Sequence, residues 1–412
     1  MAKDIPVKKT LLSALFALSG LTLCAQQQTP KVFLIDASTI AAARASYGKH
    51  SSVFEKPIAA LLSEAQEALK LKPVSVTQKT QLPPSGDKHD YMSVAPYWWP
   101  DSTKPDGLPY IRRDGEVNPD RYLVGDRERI GTVVASVFTL SLAYSVTGDE
   151  RYATHAIKFL RTWFLNPDTR MNPNLNYSQA VRGQNEGRGT GIIDGHGLRY
   201  VVDGIGLLAG SRAWTAADQQ AMKQWFSSYL DWLLNSKNGK EEAAAQNNHG
   251  TTYDVQVSAI ALFLGRDDLA REIVRAAKTK RIAKQIEPDG AQPLELVRTK
   301  SWNYSMLNLE ALMHLAWIGD RLGENLWTYR TDDGRCIRKA IDYLIPAALG
   351  KEAWMKPQIV RMETERMYTV LRIAALQYRS PEYDEASRKV PGLDFMASRA
   401  NILFPAYTGA VR

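Results

Sequence analysis

Apolar residues recur at helical spacing along almost the whole chain after residue 128. In residues 151–165, the apolar positions that lie three or four apart are Ala156, Phe159, Leu160, Trp163 and Phe164. Such spacing places apolar side chains on one face of a helix. Similar patterns predict helices over residues 39–47, 53–71, 130–146, 151–165, 196–208, 215–234, 254–264, 267–286, 304–322, 335–349 and 365–378.

The connections between these predicted helices are short, and several place an aspartate after a glycine. Gly148 precedes Asp149, and Gly319 precedes Asp320. Glycine can end a helix in the left-handed conformation, and aspartate can cap the first N–H groups of the next helix. Thr215 likewise opens a capping-box sequence. Because strands and helices do not alternate, the sequence predicts one all-α domain of successive antiparallel helix pairs over residues 26–412.

Composition narrows the class of protein. The 412 residues are 44% hydrophobic and 23% charged, which is ordinary for a globular protein and excludes a disordered or fibrous chain. Two cysteines are too few for a disulfide scaffold or a four-thiolate zinc site. The six histidines, at positions 50, 89, 155, 196, 249 and 314, include no pair four residues apart. We therefore expect no metal and no other cofactor.

The N-terminus has the features of a secretory signal. Lys3, Lys8 and Lys9 precede an apolar run over residues 11–23, which is too short to span a bilayer. Cleavage after Ala25 is expected, so residues 1–25 form the predicted signal peptide and the protein is periplasmic or secreted. Acylation of Cys24 would instead anchor the protein to lipid. No later apolar run predicts a transmembrane segment.

The chain has a surplus of positive charge. Lysine and arginine exceed aspartate and glutamate by eight, and signal cleavage would remove three lysines and one aspartate, leaving a surplus of six. A basic exported protein suits an anionic partner, although so small a surplus does not require one. Zinc-finger spacing and basic-region heptads are both missing from the sequence, so we expect no nucleic acid partner. The densest basic run, residues 278–284, is predicted to be a solvated helix face.

A long stretch between residues 73 and 128 is rich in proline, glycine and aromatic residues. It contains Tyr97, Trp98 and Trp99, followed by Arg112 and Arg113. Adjacent aromatic rings can present flat apolar faces to sugars, and arginine binds carboxylates through two parallel hydrogen bonds. The same aromatic residues could also close one end of a helical barrel, and the two roles are compatible.

A glycine-rich segment follows at residues 183–197. Its polar members Gln184, Asn185, Arg188 and His196 are candidates for substrate binding. The segment lacks the Gly-Lys-Ser/Thr ending of a phosphate-binding loop and does not follow a predicted strand. It is therefore either a simple connection or a binding loop whose backbone approaches a ligand closely.

Amide, imidazole, guanidinium and phenol groups occur at Asn248, His249, Arg298 and Tyr304. These groups suit the removal of a proton beside a uronic acid carboxylate. Asn248, His249 and Arg298 would neutralise the carboxylate, and each preorganised donor typically contributes ~10²–10³ in rate. Tyr304, with its phenol pKa lowered by the neighbouring cations, would take the proton and then protonate the leaving oxygen.

Ordinary structural roles compete with this interpretation. An asparagine before a helix commonly caps it, a lone histidine commonly makes structural hydrogen bonds, and a tyrosine at a helix start commonly packs in the core. Residues six apart lie on different faces of a helix, so Arg298 and Tyr304 converge only if residues 299–302 are not regular helix. A glycosidase would need two facing carboxylates, and the spacing of Asp194, Asp254 and Glu295 singles out no pair.

These segments resemble the alginate lyase family over roughly residues 85 to 380. The residues that carry the resemblance are Tyr97 to Pro100, Tyr110 to Gly115, Asn248, His249, Pro288 to Gly290, Glu295, Arg298 and Tyr304. The resemblance implies an (α/α) toroid, or incomplete barrel, of about six or seven helical hairpins. It also implies carboxylate neutralisation by Asn248, His249 and Arg298, with Tyr304 as acid and either Tyr304 or His249 as base.

The expected activity is β-elimination from a 1,4-linked anionic polysaccharide, with alginate as substrate, mannuronate as the preferred residue and a monomeric enzyme. Glucuronan is an alternative substrate, since related lyases cleave it. A non-catalytic surface lipoprotein that binds glycans is the alternative from another class.

Overall fold

The computed structural model describes residue 1, residues 30–50 and residues 53–409. The predicted signal peptide and Cys24 lie outside the described residues, so export and lipid anchoring stay predictions. The helices are α1 (Ala37–Ser46), α2 (Glu55–Lys70), α3 (Asp126–Thr147), α4 (Glu150–Leu160), α5 (Leu198–Leu207), α6 (Ala216–Asn235), α7 (Lys237–Ala244), α8 (Asn248–Leu264), α9 (Asp267–Ala277), α10 (Ala283–Gln285), α11 (Pro293–Leu296), α12 (Ser301–Leu322), α13 (Ile337–Ala348), α14 (Met367–Tyr378), α15 (Pro381–Ser387) and α16 (Ala400–Leu403).

Consecutive long helices pack against each other and against the next pair. Helix α3 packs against α4 and α5, α8 packs against α6, α9 and α12, and α14 packs against α13 and α15. The arrangement is the (α/α) toroid that the sequence predicted. Helix α3 is long and apolar enough to cross a membrane by composition, but most of its side chains are buried against its neighbours.

Most of the predicted helix ends are correct. Gly148 and Gly265 close their helices in the left-handed conformation, and Thr215 forms a capping box with Asp218. The predicted break at Gly319 is wrong, because Gly319 lies inside α12. A Cβ atom there would be 2.3 Å from the backbone oxygen of Glu324, so the glycine permits close packing and does not end the helix.

The basic run at residues 278–284 is not a uniformly solvated face. Arg281 is fully buried and forms an ion pair with Asp254, with 2.8 Å between Arg281 Nε and Asp254 Oδ2. A buried guanidinium is tolerated when a carboxylate and further acceptors pair with it. Arg281 also donates to the backbone oxygens of Ala243 and Ala245, so it joins the end of α7 to α8.

Four short strands organise the long segment before α3. Strand β1 (Met92–Val94) pairs in parallel with β4 (Tyr177–Ala180), and β2 (Trp98–Trp99) pairs antiparallel with β3 (Ile111–Arg112). The register places Trp98 opposite Arg112. These strands fix residues 92–118 and 177–190 as two walls above the helices.

A small cavity of about 210 Å³ lies among α3, α5, α12 and α14. Its lining is mainly apolar, and it includes His314 and Tyr200, whose ring centroids are 6.1 Å apart. Burial, with a smaller contribution from Arg199, lowers the pKa of His314 to about 3. The Nδ1 atom of His314 is buried and has no hydrogen-bond partner among the described residues.

Candidate active site

An open cleft of about 540 Å³ lies between the two walls and the N-terminal ends of α8 and α12. Eight of the twelve residues predicted from the sequence line it: Tyr97, Trp98, Arg112, Arg188, His196, His249, Arg298 and Tyr304. The other four, Trp99, Gln184, Asn185 and Asn248, do not. The cleft therefore collects residues from segments that are far apart in the chain.

His249 is the second residue of α8, and its ring reaches the cleft. Its Nδ1 atom is 2.7 Å from Glu242 Oε1, and only 14% of the His249 side chain is exposed. Where the carboxylate is ionised it can only accept a hydrogen bond, and the Nδ1 atom then carries the proton. The Nε2 atom has no partner among the described residues and is free to act as an acceptor.

Arg298 and Tyr304 lie next to each other. The sequence allowed this only if the residues between them were not a regular helix. Helix α11 ends at Leu296 and α12 begins at Ser301, so residues 297–300 form a turn. The Arg298 guanidinium lies over the Tyr304 ring, with 4.0 Å between the guanidinium carbon and the ring centroid. This contact brings a cation and a phenol to the same side of the cleft.

Asp114 holds Arg298 in this position. Arg298 Nη2 donates to Asp114 Oδ1 at 2.7 Å, and Arg298 Nε donates to Asp114 Oδ2 at 3.0 Å. Burial alone would raise the pKa of Asp114, but hydrogen bonds from Arg298 and Thr299 hold it well below its usual range. Asp114 is therefore ionised, and among the described residues the Nη1 atom of Arg298 has no partner.

The expectation that neighbouring cations lower the pKa of Tyr304 is wrong for the free enzyme. Burial raises the pKa of Tyr304 well above its usual range, the Tyr97 phenol adds to the shift, and Arg298 only partly opposes it. The Tyr304 hydroxyl donates to the Tyr97 oxygen at 3.0 Å. Tyr304 is thus a protonated phenol, which is the form that a general acid requires.

The two tryptophans of β2 face opposite sides, as neighbouring residues in a strand do. Trp98 lines the cleft, and the Arg188 guanidinium lies 5.7 Å from the centroid of its ring. Trp99 faces away, donates to the backbone oxygen of Glu116 at 3.1 Å and packs against Arg113. Trp99 therefore does not line this cleft, and its contact with substrate stays a prediction, whereas Trp98 is placed to offer a ring face.

Gln184 and Asn185 are structural. Gln184 donates to the backbone oxygen of Tyr110 at 2.8 Å, and Asn185 accepts from the backbone N–H of Val181 at 3.1 Å. The Asn185 bond closes the turn that follows β4, and the Gln184 bond joins that turn to the segment before β3. Because both side chains are used to fix the turn, neither reaches the cleft.

The glycines of this segment allow very close backbone packing. A Cβ atom at Gly187 would be 2.0 Å from the backbone oxygen of Asn176, and one at Gly191 would be 2.4 Å from the backbone oxygen of Ser178. Gly189, which lines the cleft, is similarly close to Glu241. The segment is both a tight connection and one wall of the cleft.

His196 lines the cleft but is not a titrating group near neutral pH. Burial, with a smaller contribution from Arg199, lowers the pKa of His196 to about 4. Its Nδ1 atom is hydrogen bonded to the backbone oxygen of Ile193. His196 is therefore neutral at pH 7, and its role is limited to hydrogen bonding.

Asn248 does not face the cleft. It is fully buried, and both its backbone N–H and its side-chain amide donate to the Glu295 carboxylate at 2.6 Å. Burial raises the pKa of Glu295, and the two bonds from Asn248 oppose the rise. The neighbouring Asn247 lines the cleft instead and caps α8 through the backbone N–H of His249. Asn247 is therefore the asparagine side chain that lines the cleft.

The cleft also contains residues that the sequence did not single out. They are Arg127, Gln179, Asn247, Glu241 and Glu242. Arg127 is 3.5 Å from Asp194, and its Nη1 atom is buried without a partner among the described residues. Arg127 lies in a charged first turn before an apolar helix. Ordinary helices commonly begin in the same way, so the sequence did not mark this arginine as a cleft residue.

The three acidic residues considered for hydrolysis, Asp194, Asp254 and Glu295, do not line the cleft. Asp194 accepts hydrogen bonds from Tyr91, Ser93 and Gln179 behind the cleft, and Asp254 is paired with Arg281. Within residues 30–50 and 53–409, no group of three or more His, Cys, Asp or Glu side chains is placed to hold a metal ion.

Comparisons with known proteins agree with this geometry. A family model described as alginate lyase matches residues 75–354. The structure is similar to that of an alginate lyase from Bacteroides ovatus, with 38% identity, a TM-score of 0.87, and coverage of 91% of this chain and 99% of that chain. A search of curated protein sequences finds no significant match.

More distant structures share the fold. Alginate lyase A1-III from Sphingomonas species A1 is 17% identical, with a TM-score of 0.58 and coverage of 90% of this chain and 97% of that chain. A histidine-to-alanine variant of alginate lyase A1-III, complexed with tetrasaccharide, is 18% identical, with a TM-score of 0.60 and coverage of 92% and 97%.

The toroid, together with a cleft lined by imidazole, guanidinium and phenol groups, defines a polysaccharide lyase. The match over residues 75–354 and the 38% identity to the Bacteroides ovatus enzyme then identify the family. The chain belongs to the alginate lyase family.

Proposed function

We propose that this polysaccharide lyase cleaves a 1,4-linked polyuronate by metal-independent β-elimination, with alginate as substrate and mannuronate as the preferred residue. The observation that carries the proposal is the convergence of His249, Arg298 and Tyr304 on one cleft. The tetrasaccharide bound by the A1-III variant supports a carbohydrate chain as the ligand of this cleft.

Neutralisation of the uronate carboxylate falls to Arg298 and Asn247. Asp114 fixes the Arg298 guanidinium through Nε and Nη2, so Nη1 remains available to a substrate oxygen. Asn247 adds an amide donor from the start of α8. These donors stabilise the enolate that forms when the proton beside the carboxylate leaves, and their charge or dipole makes a metal ion unnecessary.

Proton transfer divides between His249 and Tyr304. The Nε2 atom of His249 is unprotonated in the tautomer that the Glu242 contact favours, so it is suited to accept the proton from C5. Tyr304 is a protonated phenol and is suited to protonate the departing glycosidic oxygen. This assignment replaces the sequence-based alternative in which Tyr304 performs both steps.

Stereochemistry supports mannuronate. In mannuronate, the C5 proton and the C4 oxygen leave from the same face of the ring, whereas in guluronate they leave from opposite faces. His249 and Tyr304, the two proposed proton-transfer groups, line the same cleft, where Tyr304 also contacts Tyr97 and Arg298. Elimination from one face of mannuronate is the course that we propose for this cleft.

The test is the ultraviolet absorbance of the unsaturated uronate end, measured with polymannuronate, polyguluronate, alginate and glucuronan. We expect the fastest rise with polymannuronate, and we expect the rate to persist after dialysis against EDTA. Faster cleavage of glucuronan would identify that polymer as the substrate. Loss of activity on EDTA treatment, restored by a divalent cation, would contradict metal independence.

A further inference from the structure

A buried carboxylate lies directly behind the imidazole of the cleft. Glu242 is 3% exposed, and its Oε1 atom is 2.7 Å from His249 Nδ1. Glu242 belongs to α7 and His249 to α8, so the contact bridges two helices. A carboxylate on one ring nitrogen fixes the tautomer and the orientation of the ring, and it leaves the other nitrogen for chemistry.

The turn between these two helices is rigidly held. Arg281 Nη2 donates to the backbone oxygen of Ala243 at 2.9 Å, and Nη1 donates to that of Ala245 at 2.5 Å. A Cβ atom at Gly250 would be 2.1 Å from the Ala245 oxygen, so the backbone of α8 packs against the turn without space for a side chain. The Glu242–His249 pair is therefore supported on both sides.

Among the described residues, Glu242 is the buried carboxylate that contacts His249. Among the described residues, His249 is the hydrogen-bond partner of the Glu242 carboxylate, and the buried carboxylates Glu295 and Asp254 are paired with Asn248 and Arg281. The neighbouring Glu241 lines the cleft but is half-exposed and lies 3.8 Å from Lys237. Glu242 is thus the buried acid that contacts His249, one of the two histidines that line the cleft.

We propose that Glu242 is a positioning residue for the elimination. It holds His249 with the proton on Nδ1 and stabilises the imidazolium that forms during the reaction. The inference rests on the proposed β-elimination and adds the group that makes His249 the base.

The proposed elimination begins at C5 of the uronate. The C5–H bond breaks, the proton goes to His249 Nε2, and the electron pair is held by the uronate carboxylate as an enolate. That pair then forms the C4–C5 double bond while the C4–O4 bond breaks, and O4 takes the proton of the Tyr304 phenol. The imidazolium finally returns a proton to the Tyr304 phenolate, so the enzyme regains its starting state. Glu242 stays ionised throughout and lowers the energy of the imidazolium stage.

The kinetic test compares Glu242→Gln with Glu272→Gln, which removes an exposed carboxylate from α9. We expect Glu242→Gln to lower kcat on polymannuronate at least ~10-fold and to change KM less than about twofold. Because the imidazolium loses its carboxylate, the acid limb of the kcat profile should move to lower pH. Glu242→Asp, which keeps the charge but shortens the reach, should recover part of the loss. Glu272→Gln should match the wild type.

A second measurement does not depend on activity. Nitrogen NMR of histidine-labelled protein reports which ring nitrogen carries the proton, and His249→Ala identifies the His249 signals. We expect the Nδ1–H tautomer in the wild type and a mixture in Glu242→Gln, with both proteins folded by circular dichroism. The same tautomer in both proteins, or an unchanged kcat and pH profile, would overturn the proposal. If the wild type cleaves no polyuronate, the proposed elimination fails, while the tautomer still decides the role of Glu242.

Discussion

The phenol oxygens of Tyr97 and Tyr304 lie 3.0 Å apart, although 207 positions separate the two residues in the chain. Tyr97 belongs to the loop wall, whereas Tyr304 belongs to the first turn of α12. The hydrogen bond therefore joins the two sides of the cleft, at the group that we propose as the acid. The position of the Tyr304 hydroxyl therefore depends on the position of the loop that carries Tyr97.

Replacement of Tyr304 should separate its acid function from its packing. Tyr304→Phe keeps the ring under Arg298 but removes the proton donor, so we expect kcat to fall by at least ~10²-fold with folding retained. Tyr97→Phe removes only the partner of that donor, so its effect should be smaller. Steady-state rates with polymannuronate check both. Turnover near the wild-type rate in Tyr304→Phe would remove this residue from the mechanism.

Arg127 should bind a substrate carboxylate. Its Nη1 atom is buried in the cleft wall without a partner among the described residues, and a charge-assisted hydrogen bond contributes about 1.5–3 kcal/mol. Arg127→Ala should therefore raise KM about 10- to 100-fold. Asp194 retains its bonds to Tyr91 and Ser93 in the variant. Arg113→Ala, which removes a cation outside the cleft, is the control, and equal KM values for the two variants would refute the role of Arg127.

Asn248 should affect stability more than chemistry. Asn248→Ala removes a donor from the buried Glu295 carboxylate, and an unsatisfied buried acceptor costs about 1–3 kcal/mol. Urea denaturation should show a loss of stability of this size, while the shape of the pH–rate profile should not change. A fully stable variant with greatly reduced turnover would instead return Asn248 to the catalytic group.

His314 should make the protein sensitive to acid. Its pKa is about 3 in the folded protein, against about 6.5 in an unfolded chain, so the unfolded state takes up the proton first. Stability is therefore unaffected by His314 above pH 6.5 and falls as the pH drops from 6.5 towards 3. Between pH 7 and pH 4.5 this residue accounts for up to about 2.7 kcal/mol.

His314→Phe tests whether His314 causes a loss of stability at low pH. His314→Phe keeps an aromatic ring in the cavity but cannot take up a proton, so its free energy of unfolding should fall less on acidification than that of the wild type. At pH 7 it should be at least as stable, because an unpaired buried polar atom is removed. Equal losses in the two proteins would show that His314 does not titrate on unfolding.

The sequence predicted the helices well because their apolar faces repeat over many residues. His249, Arg298 and Tyr304 were predicted from the chemistry that a uronic acid requires and from the resemblance to the family, and all three line one cleft. Asp114 was not predicted as the partner of Arg298, because 184 residues separate them and no local pattern records such a contact. Asn247 lines the cleft and its neighbour Asn248 does not. The sequence could not distinguish the two, because the distinction depends on which residue caps α8.

Binding residues in loops were the hardest to predict. Polar side chains such as Gln184 serve equally well to satisfy a turn or to contact a sugar, and composition does not distinguish the two. The alternation of side chains in a strand separated Trp98 from Trp99, but β2 has only two residues and no apolar pattern that reveals it. Arg127 and Glu242 were missed because each looks like an ordinary helix residue.

The close packing at Gly187, Gly189 and Gly191 also bears on how this enzyme can diversify. Because a Cβ atom at any of these positions would clash with the opposite segment, this wall of the cleft is held in place by close main-chain packing. Changes of sugar preference are then accessible mainly through the exchangeable side chains that face this wall, such as Trp98 and Arg112. A directed library built on those positions should yield altered polymer preference, while one built on the glycines should yield mostly unfolded protein.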